Sequence, residues 1–351
     1  MSRSSRTGVP TSGPALPDLR MAAPYLVTGC AGFLGSNLLG RMLGAGHEVV
    51  GIDNLSMGLL DNLAEFRDDG RFRFVQADVT DPAALAGLGG PFEAVVHLAA
   101  FKIPRYGKAI DTLKINYRGT ENALELARRL GCKLVLASTS DVYGRNPKLP
   151  FSEEDSDHVI GNSKSPRWAY AVSKLFDEHL ALAYQDAYSF PVTILRFFGS
   201  YGPKQPLSWW GGPPPVFIDC VLNDKPIPIH GDGSQTRSFT FVTDTVEGIY
   251  QATLRPAANG EIINIGSTQE ITILELAKRV KRVSGTDGEL KVEFVPYASF
   301  TRRKYEDVMR RVPDVALCER LLGVRAKVDI DDGLARTIEW QRAAVLRRAA
   351  G

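Results

Sequence analysis

From residue 25 to about 200, short runs of consecutive apolar residues alternate with stretches where apolar positions recur at helical spacing. Tyr25-Leu26-Val27 stops at Thr28-Gly29. Leu34, Leu38, Leu39, Met42 and Leu43 then mark a helix closed by Gly44 and Gly46. Val49 to Ile52, Phe72 to Val75 and Ala94 to His97 predict three more strands. Ile110, Leu113, Tyr117, Leu124 and Leu130 predict a helix over 109–130, ended by Gly131. A strand at 133–137, a helix near 169–188 and a strand at 192–195 complete the series. Strands apolar throughout and separated by helices predict a parallel sheet covered on both faces, a doubly wound α/β layer of Rossmann type.

Beyond residue 200 the pattern changes. Residues 203–215 hold five prolines, two glycines and the Trp209-Trp210 pair, too many breakers for a regular element. Short strands at 227–230, 262–265 and 291–295, with helices near 243–254, 272–283 and 331–348, predict a smaller α+β lobe. The expected organisation is a disordered tail over 1–24, a dinucleotide-binding domain over 25–200, and a mainly substrate-binding lobe over 201–345 that exchanges elements with it. Ligands of such sheets bind beyond the carboxyl ends of the strands, so a cleft between the lobes is expected.

Composition narrows the class. The 351 residues are 44% hydrophobic and 23% charged, with a formal net charge of +2, so nothing electrostatic argues for a nucleic-acid partner. No apolar run approaches ~18 residues, so no membrane span is expected. Cys30, Cys132, Cys220 and Cys318 are widely spaced and no His cluster accompanies them. Reduced thiols in a cytoplasmic protein, with no metal site, are the expectation.

Gly29, Gly32 and Gly35 join the first strand to the first helix. The first glycine suits the tight turn, the second lets a pyrophosphate approach the backbone, and the third permits close helix–strand packing. The amides of Phe33 and Leu34 would face the pyrophosphate at the helix N-terminus. Asp53 ends the second strand 18 residues past Gly35; a carboxylate there accepts both ribose hydroxyls and repels a 2′-phosphate, which favours NAD over NADP. Asn54, Asp78 and Val79 are placed near the adenine, although Asp78 equally suits a cap for the helix after Asp81-Pro82. Leu98, Ala99 and Ala100 end the fourth strand beside the expected cofactor. His97 there reads as a packed structural histidine.

Tyr170 and Lys174 stand one helical turn apart on one face. A free phenol, with a pKa of about 10, is a poor base at neutral pH. An ammonium one turn away and an oxidised nicotinamide together stabilise the phenolate; a drop of about 3 units needs roughly 4 kcal/mol. Ser138 to Gly144 closes the fifth strand, and a hydroxyl at Thr139 or Ser140 would share a substrate proton with Tyr170. Alcohol, phenolate and nicotinamide specify hydride transfer from a secondary carbinol.

With these motifs, with the segment from Arg196 to Pro203 and with the segment from Gly231 to Arg237, the chain resembles the extended short-chain dehydrogenases/reductases of the nucleotide-sugar epimerase/dehydratase family over about residues 25–340. The resemblance implies a tightly held NAD that oxidises C4 of a nucleotide-diphosphate sugar, UDP-linked, to a 4-keto intermediate. It also implies a homodimer through helices 109–130 and 169–188. Tyr170 and Lys174 would carry catalysis and also touch the cofactor, with Thr139 as the family hydroxyl and Ser140 beside it. Asp141 stands where sugar-acid decarboxylases and mannose-type dehydratases carry Glu, one methylene longer; its competing reading is a turn residue bonding local backbone. Arg167 resembles an arginine of uronate decarboxylases that pairs with a sugar carboxylate, against a solvated arginine at a helix start. Arg237 and Arg311 match positions that hold the diphosphate, whereas Arg302, Arg303 and Arg310 read as solvated. Gly199 replaces a frequent Asn at the substrate. Trp209 or Trp210 would stack on the base or cover the sugar, against capping a local core. The leading expectation is 4-epimerisation of a UDP-hexose or UDP-hexuronate. The alternatives are UDP-glucuronate decarboxylation or 4,6-dehydration using Asp141, a net NAD(P)-dependent oxidoreductase, and a dinucleotide-sensing module without chemistry.

Overall fold

The computed structural model describes residues 23–102, 108–299 and 307–350. Strands β1 (Tyr25–Thr28), β2 (Val49–Asp53), β3 (Phe72–Gln76), β4 (Ala94–His97), β5 (Lys133–Thr139) and β6 (Val192–Phe197) lie in one sheet with β11 (Ile262–Ile265), in the order β11-β6-β5-β4-β1-β2-β3. Every pairing in this sheet is parallel. Successive side chains enter opposite faces, which is why the central strands are mainly apolar, whereas the edge strand β3 exposes Arg73 and Gln76. Val27, Val96, Val135 and Leu195 enter one core with Leu38, Leu39 and Met42 of α1 (Phe33–Gly44) and Ile249 of α6 (Val242–Leu254). Leu26, Val95, Leu134 and Ile194 enter the other with Leu124 of α3 (Ala109–Leu130) and Ala181 of α4 (Trp168–Tyr188). Two apolar faces thus fix a doubly wound sheet, and the strand order reverses at β1, between β2 and β4. That reversal opens the crevice at the carboxyl ends.

The distal half adds two-stranded pairs: β7 (Ser200–Tyr201) with β10 (Thr240–Phe241), β9 (Thr236–Ser238) with β12 (Glu270–Thr272), and β8 (Ile227–His230) with β13 (Val292–Val295). Helices α5 (Pro213–Leu222), α7 (Ile273–Ser284), α8 (Ala316–Leu322) and α9 (Ile330–Ala350) pack around them; α2 (Pro82–Ala86) belongs to the first half.

Two sequence expectations need correction. The proline-rich segment does not stay irregular: Pro213 and Pro214 occupy the first turn of α5, where no intrahelical N–H is required of them. The strand at 262–265, assigned by chain position to the smaller lobe, pairs with β6 instead, Ile262 opposite Ile194 and Ile265 opposite Phe197, and completes the main sheet. Most of the expected tail lies outside the described residues, but its last two are tied down. The Ala23 N–H donates to the Glu93 carboxylate at 3.1 Å, and the Glu93 N–H to the Pro24 carbonyl at 3.1 Å. All four cysteines are buried and unpaired. Among the described residues no helix is long and apolar enough to cross a membrane.

Candidate active site

A cleft of about 820 Å³ runs along the carboxyl edge of the sheet, floored by the ends of β1, β2, β4 and β5 and roofed by the distal half. At one end it is built of backbone. Gly32 caps α1 without a side-chain bond, so the first-turn amides of Phe33 and Leu34 face the cleft free of intrahelical partners. The glycines are there because nothing larger fits. A Cβ on Gly35 would stand 2.1 Å from the Gly29 carbonyl oxygen, and one on Gly29, at φ +70°, would stand 2.9 Å from the Ala99 nitrogen. This is a cradle shaped for a pyrophosphate against bare amides, so the residues present fit a dinucleotide.

Asp53 is buried at the end of β2. Its carboxylate accepts from the Ala31 amide at 3.0 Å and the Leu55 amide at 2.8 Å, and burial raises its pKa. Each oxygen keeps a lone pair for a ribose hydroxyl. Asp78 does not cap α2; Asp81 does, through the Ala83 amide. Asp78 instead accepts from the Thr80 amide and hydroxyl, both at 2.8 Å, and from the Asn54 side chain at 2.9 Å, fixing the rim beside Val79. Leu98, Ala99 and Ala100 line the opposite wall. His97 is structural: its Nδ1 meets the Thr28 hydroxyl at 2.8 Å, and burial, with the Lys174 charge, pushes its pKa down to about 3.

The catalytic candidates meet at mid-cleft. Tyr170 projects from the first turn of α4 and shares a hydrogen bond with Thr139, the last residue of β5. Of the two candidate hydroxyls, Thr139 is therefore the one at the phenol; Ser140 is buried and receives Arg311 Nη1 at 3.5 Å. Ser138 turns away into a buried network, donating to Glu178, which also holds Arg196 at 2.7 and 3.0 Å. Tyr143 is likewise structural, donating to Asn264 at 2.8 Å. Lys174 corrects the simple phenol–ammonium picture. Its Nζ donates to Asp177 Oδ2 at 2.8 Å, and both side chains are buried. Burial, then the Asp141 charge, raise the Tyr170 pKa, while the Thr139 bond and Arg311 lower it. Asp177 was absent from the sequence expectations, although its place three residues past Lys174 on the same helix signalled it.

The other end is charged. Asp141 sits in a 3-10 turn over Ser140–Tyr143, but its side chain pairs with a distant cation and not with local backbone: Arg311 Nη2 lies 2.6 Å from its Oδ1. Burial opposes its charge, but Arg311, Arg167 and Arg237 hold it below the usual carboxylate range. Arg167 is not solvated; it lies over the Trp168 ring and 3.8 Å from Asp307. Arg237 donates to Asp307 at 3.0 Å, Tyr297 donates to it at 2.6 Å, and these partners and Arg167 hold that carboxylate low against its burial. Burial and Arg311 push Arg237 down to about 10, which leaves it charged at neutral pH. Asp307 precedes Arg311 by four residues and Tyr297 precedes it by fourteen, but no motif announced either. Gly199, at φ +36°, has no room for a side chain, since a Cβ would sit 2.1 Å from the Ser238 carbonyl oxygen. Trp209 stacks on His230 with ring centroids 4.5 Å apart, and Trp210 meets Phe101 edge-on at 5.0 Å; both line the cleft. Arg310 is exposed, paired with Glu270, while Arg302 and Arg303 lie outside the described residues.

Known proteins place the chain in a family. Residues 25–266 match the model of the NAD dependent epimerase/dehydratase family. A UDP-N-acetyl-alpha-D-glucosaminuronate decarboxylase of Bacillus cytotoxicus is 35% identical, over 90% of this chain and 97% of its own. UDP-glucuronic acid decarboxylase 1 of Xenopus tropicalis is 33% identical, over 92% and 73% respectively. A crystal structure of UDP-glucuronic acid 4-epimerase from Bacillus cereus, in complex with UDP-glucuronic acid and NAD, superposes with a TM-score of 0.78 at 29% identity, covering 92% of this chain and 99% of that one. With a glycine cradle, an acid at the end of β2 and a Thr–Tyr pair at mid-cleft, the chain belongs to the NAD-dependent epimerase/dehydratase family and is an NAD-dependent enzyme of the nucleotide-sugar epimerase/decarboxylase group.

Proposed function

We propose that this enzyme takes a UDP-hexuronate, oxidises it at C4, and releases the C6 carboxylate as CO₂. The observation that carries the reading is the charged end of the cleft, where Arg167, Arg237 and Arg311 outnumber Asp141 and Asp307. Two carboxylates cannot neutralise three guanidinium groups, and the unmatched charge suits a diphosphate together with a sugar carboxylate.

Tyr170, as phenolate, takes the proton of the C4 hydroxyl, and Thr139 shares it. When bound, NAD supplies the oxidant that accepts the C4 hydrogen with its electron pair. The C4 ketone then lies β to the carboxylate. The C5–C6 bond breaks, its electrons pass toward the C4 oxygen, and Tyr170 and Thr139 hold that enolate by hydrogen bonds until C5 takes a proton from water. The C4 carbon then takes back the hydrogen and electron pair it gave up, and Tyr170 returns the proton to the C4 oxygen, leaving a UDP-pentose beside an oxidised cofactor. This sequence needs no base at C5. Asp141, short by one methylene and engaged by Arg311, is poorly suited to be one, which weighs against 4,6-dehydration. Epimerisation at C4 of the same uronate is the second reading; it was the leading sequence expectation, and the likeness to an epimerase structure supports it.

Incubation with UDP-glucuronate and its N-acetylglucosaminuronate counterpart, followed by NMR and CO₂ capture, tests the proposal. Stoichiometric CO₂ with a UDP-pentose product is expected. An equimolar 4-epimer with the carboxylate intact moves the reading to epimerase, and consumption of added NAD to net oxidation. Tyr170→Phe is expected to lower kcat by about 10³-fold.

We also propose a homodimer through α3 and α4, whose outer faces expose Ile110, Leu113, Val172 and Phe176, with Tyr117 packed edge-on against Phe176 at 5.6 Å. Sedimentation as a dimer at micromolar concentration, lost in Phe176→Asp, is the expected result.

A further inference from the structure

We infer that Asp177 is a positioning residue for C4 oxidation, the fixed counter-charge that holds the Lys174 ammonium in place and joins Tyr170 and Lys174 into a three-member ionising unit. The inference rests on the reading that Tyr170 and Lys174 serve that step. The geometry is that of a sealed pair. Lys174 keeps 1% of its side-chain surface exposed and Asp177 none, with Nζ 2.8 Å from Oδ2. Among the described residues Asp177 Oδ1 is buried with no hydrogen-bond partner, and Oδ2 accepts from the ammonium.

Among the described residues, the neighbouring groups are engaged elsewhere. On α4 itself, Glu178 is committed to Arg196 of β6 and to Ser138 of β5. From β4, His97 feels the Lys174 charge but is kept uncharged by burial, and it engages Thr28. From α3, the group facing this turn is the neutral Asn116, bonded to Ser173 at 2.9 Å. Asp141 and Arg311 also act on Tyr170, with opposite signs, but they pair with each other. Asp177 is thus the anion against which the ammonium is set. A lysine held this way spends one of three donors on Asp177 and keeps two for cofactor or phenol.

A sign follows that a purely structural role does not give. The Asp177 charge raises the Tyr170 pKa, so removing the anion lets the phenol release its proton at lower pH. The ammonium, no longer anchored by Asp177, is held less firmly beside the phenolate, and turnover falls. In Asp177→Asn, assayed as NAD-loaded protein with UDP-glucuronate, the acid limb of the kcat profile is expected to move down by about one pH unit and the plateau to fall about tenfold, with KM unchanged. An acid limb that stays in place or moves up overturns the inference, as does an unchanged plateau. Should the Asn variant fail to accumulate folded, Asp177→Ser, smaller than the native residue, is read the same way. A Tyr170→Phe enzyme with undiminished turnover would overturn instead the reading on which this rests, so the two failures are distinguishable.

Discussion

The two ends of the cleft are built on different physical principles. The dinucleotide end is made of backbone: a strand, three glycines and a helix N-terminus within eleven residues, closed by one carboxylate on the next strand. Its geometry is local, and Asp53 is the one ionised side chain it needs. The charged end, where we place the sugar, is made of side chains drawn from the end of β5, the start of α4, β9 and two distant loops, and its charges restrain one another. A backbone site tolerates almost no change in shape, whereas a charge cluster tolerates shape but not the loss of one sign.

Substitutions at each end should break that contrast in order of size. Gly35→Ala places a Cβ 2.1 Å from one backbone atom and 2.8 Å from the Cys30 Cα, with no flexible side chain to yield. The expected result is protein that retains no NAD by mass spectrometry of the denatured sample and melts well below the parent; retention of cofactor would show the turn to be more pliable than its packing implies.

Arg311→Gln should raise KM for the nucleotide sugar about 100-fold, near 3 kcal/mol, the worth of charge-assisted bonds to an anionic ligand. It also leaves Asp141 without its nearest cation, at about 2 kcal/mol of stability; that is below the figure for a fully buried pair, since the two side chains remain 15% and 24% exposed. Asp141 and Asp307 are held low in the folded chain, so the stability they contribute is complete above the unfolded carboxylate value and disappears as pH falls through the folded ones. Melting temperatures between pH 7 and pH 3 should therefore fall less steeply in Arg311→Gln than in the parent. Equal slopes would mean that Arg311 does not set the Asp141 charge.

Asp53→Ser is the smallest of the three. The carboxylate gives way to a hydroxyl, and NAD affinity measured by calorimetry should weaken about tenfold while discrimination against NADP is lost.

The same contrast explains what the sequence revealed. The glycine turn, Asp53, Tyr170 and Lys174 were legible because each occupies a spacing that one strand or one helix imposes on its neighbours. Asp307 and Tyr297 were not, because their meeting with Arg237 depends on how a loop 70 residues away folds back, and no periodicity records that. Asp141 and Arg167 were noticed but left between rival readings, which only their three-dimensional partners could separate. α5 was missed because prolines stop a helix from within yet start one readily from its first turn.

The placement of β11 has a consequence for how the molecule comes apart. A segment from the distal half supplies the edge strand beside β6, so a protein cut near residue 200 would leave β6 paired with β5 alone and strip the Ile194 and Phe198 amides of their acceptors, the Glu261 and Ile265 carbonyls. The chain is sewn through its own sheet, and the floor and roof of the cleft should melt in one transition.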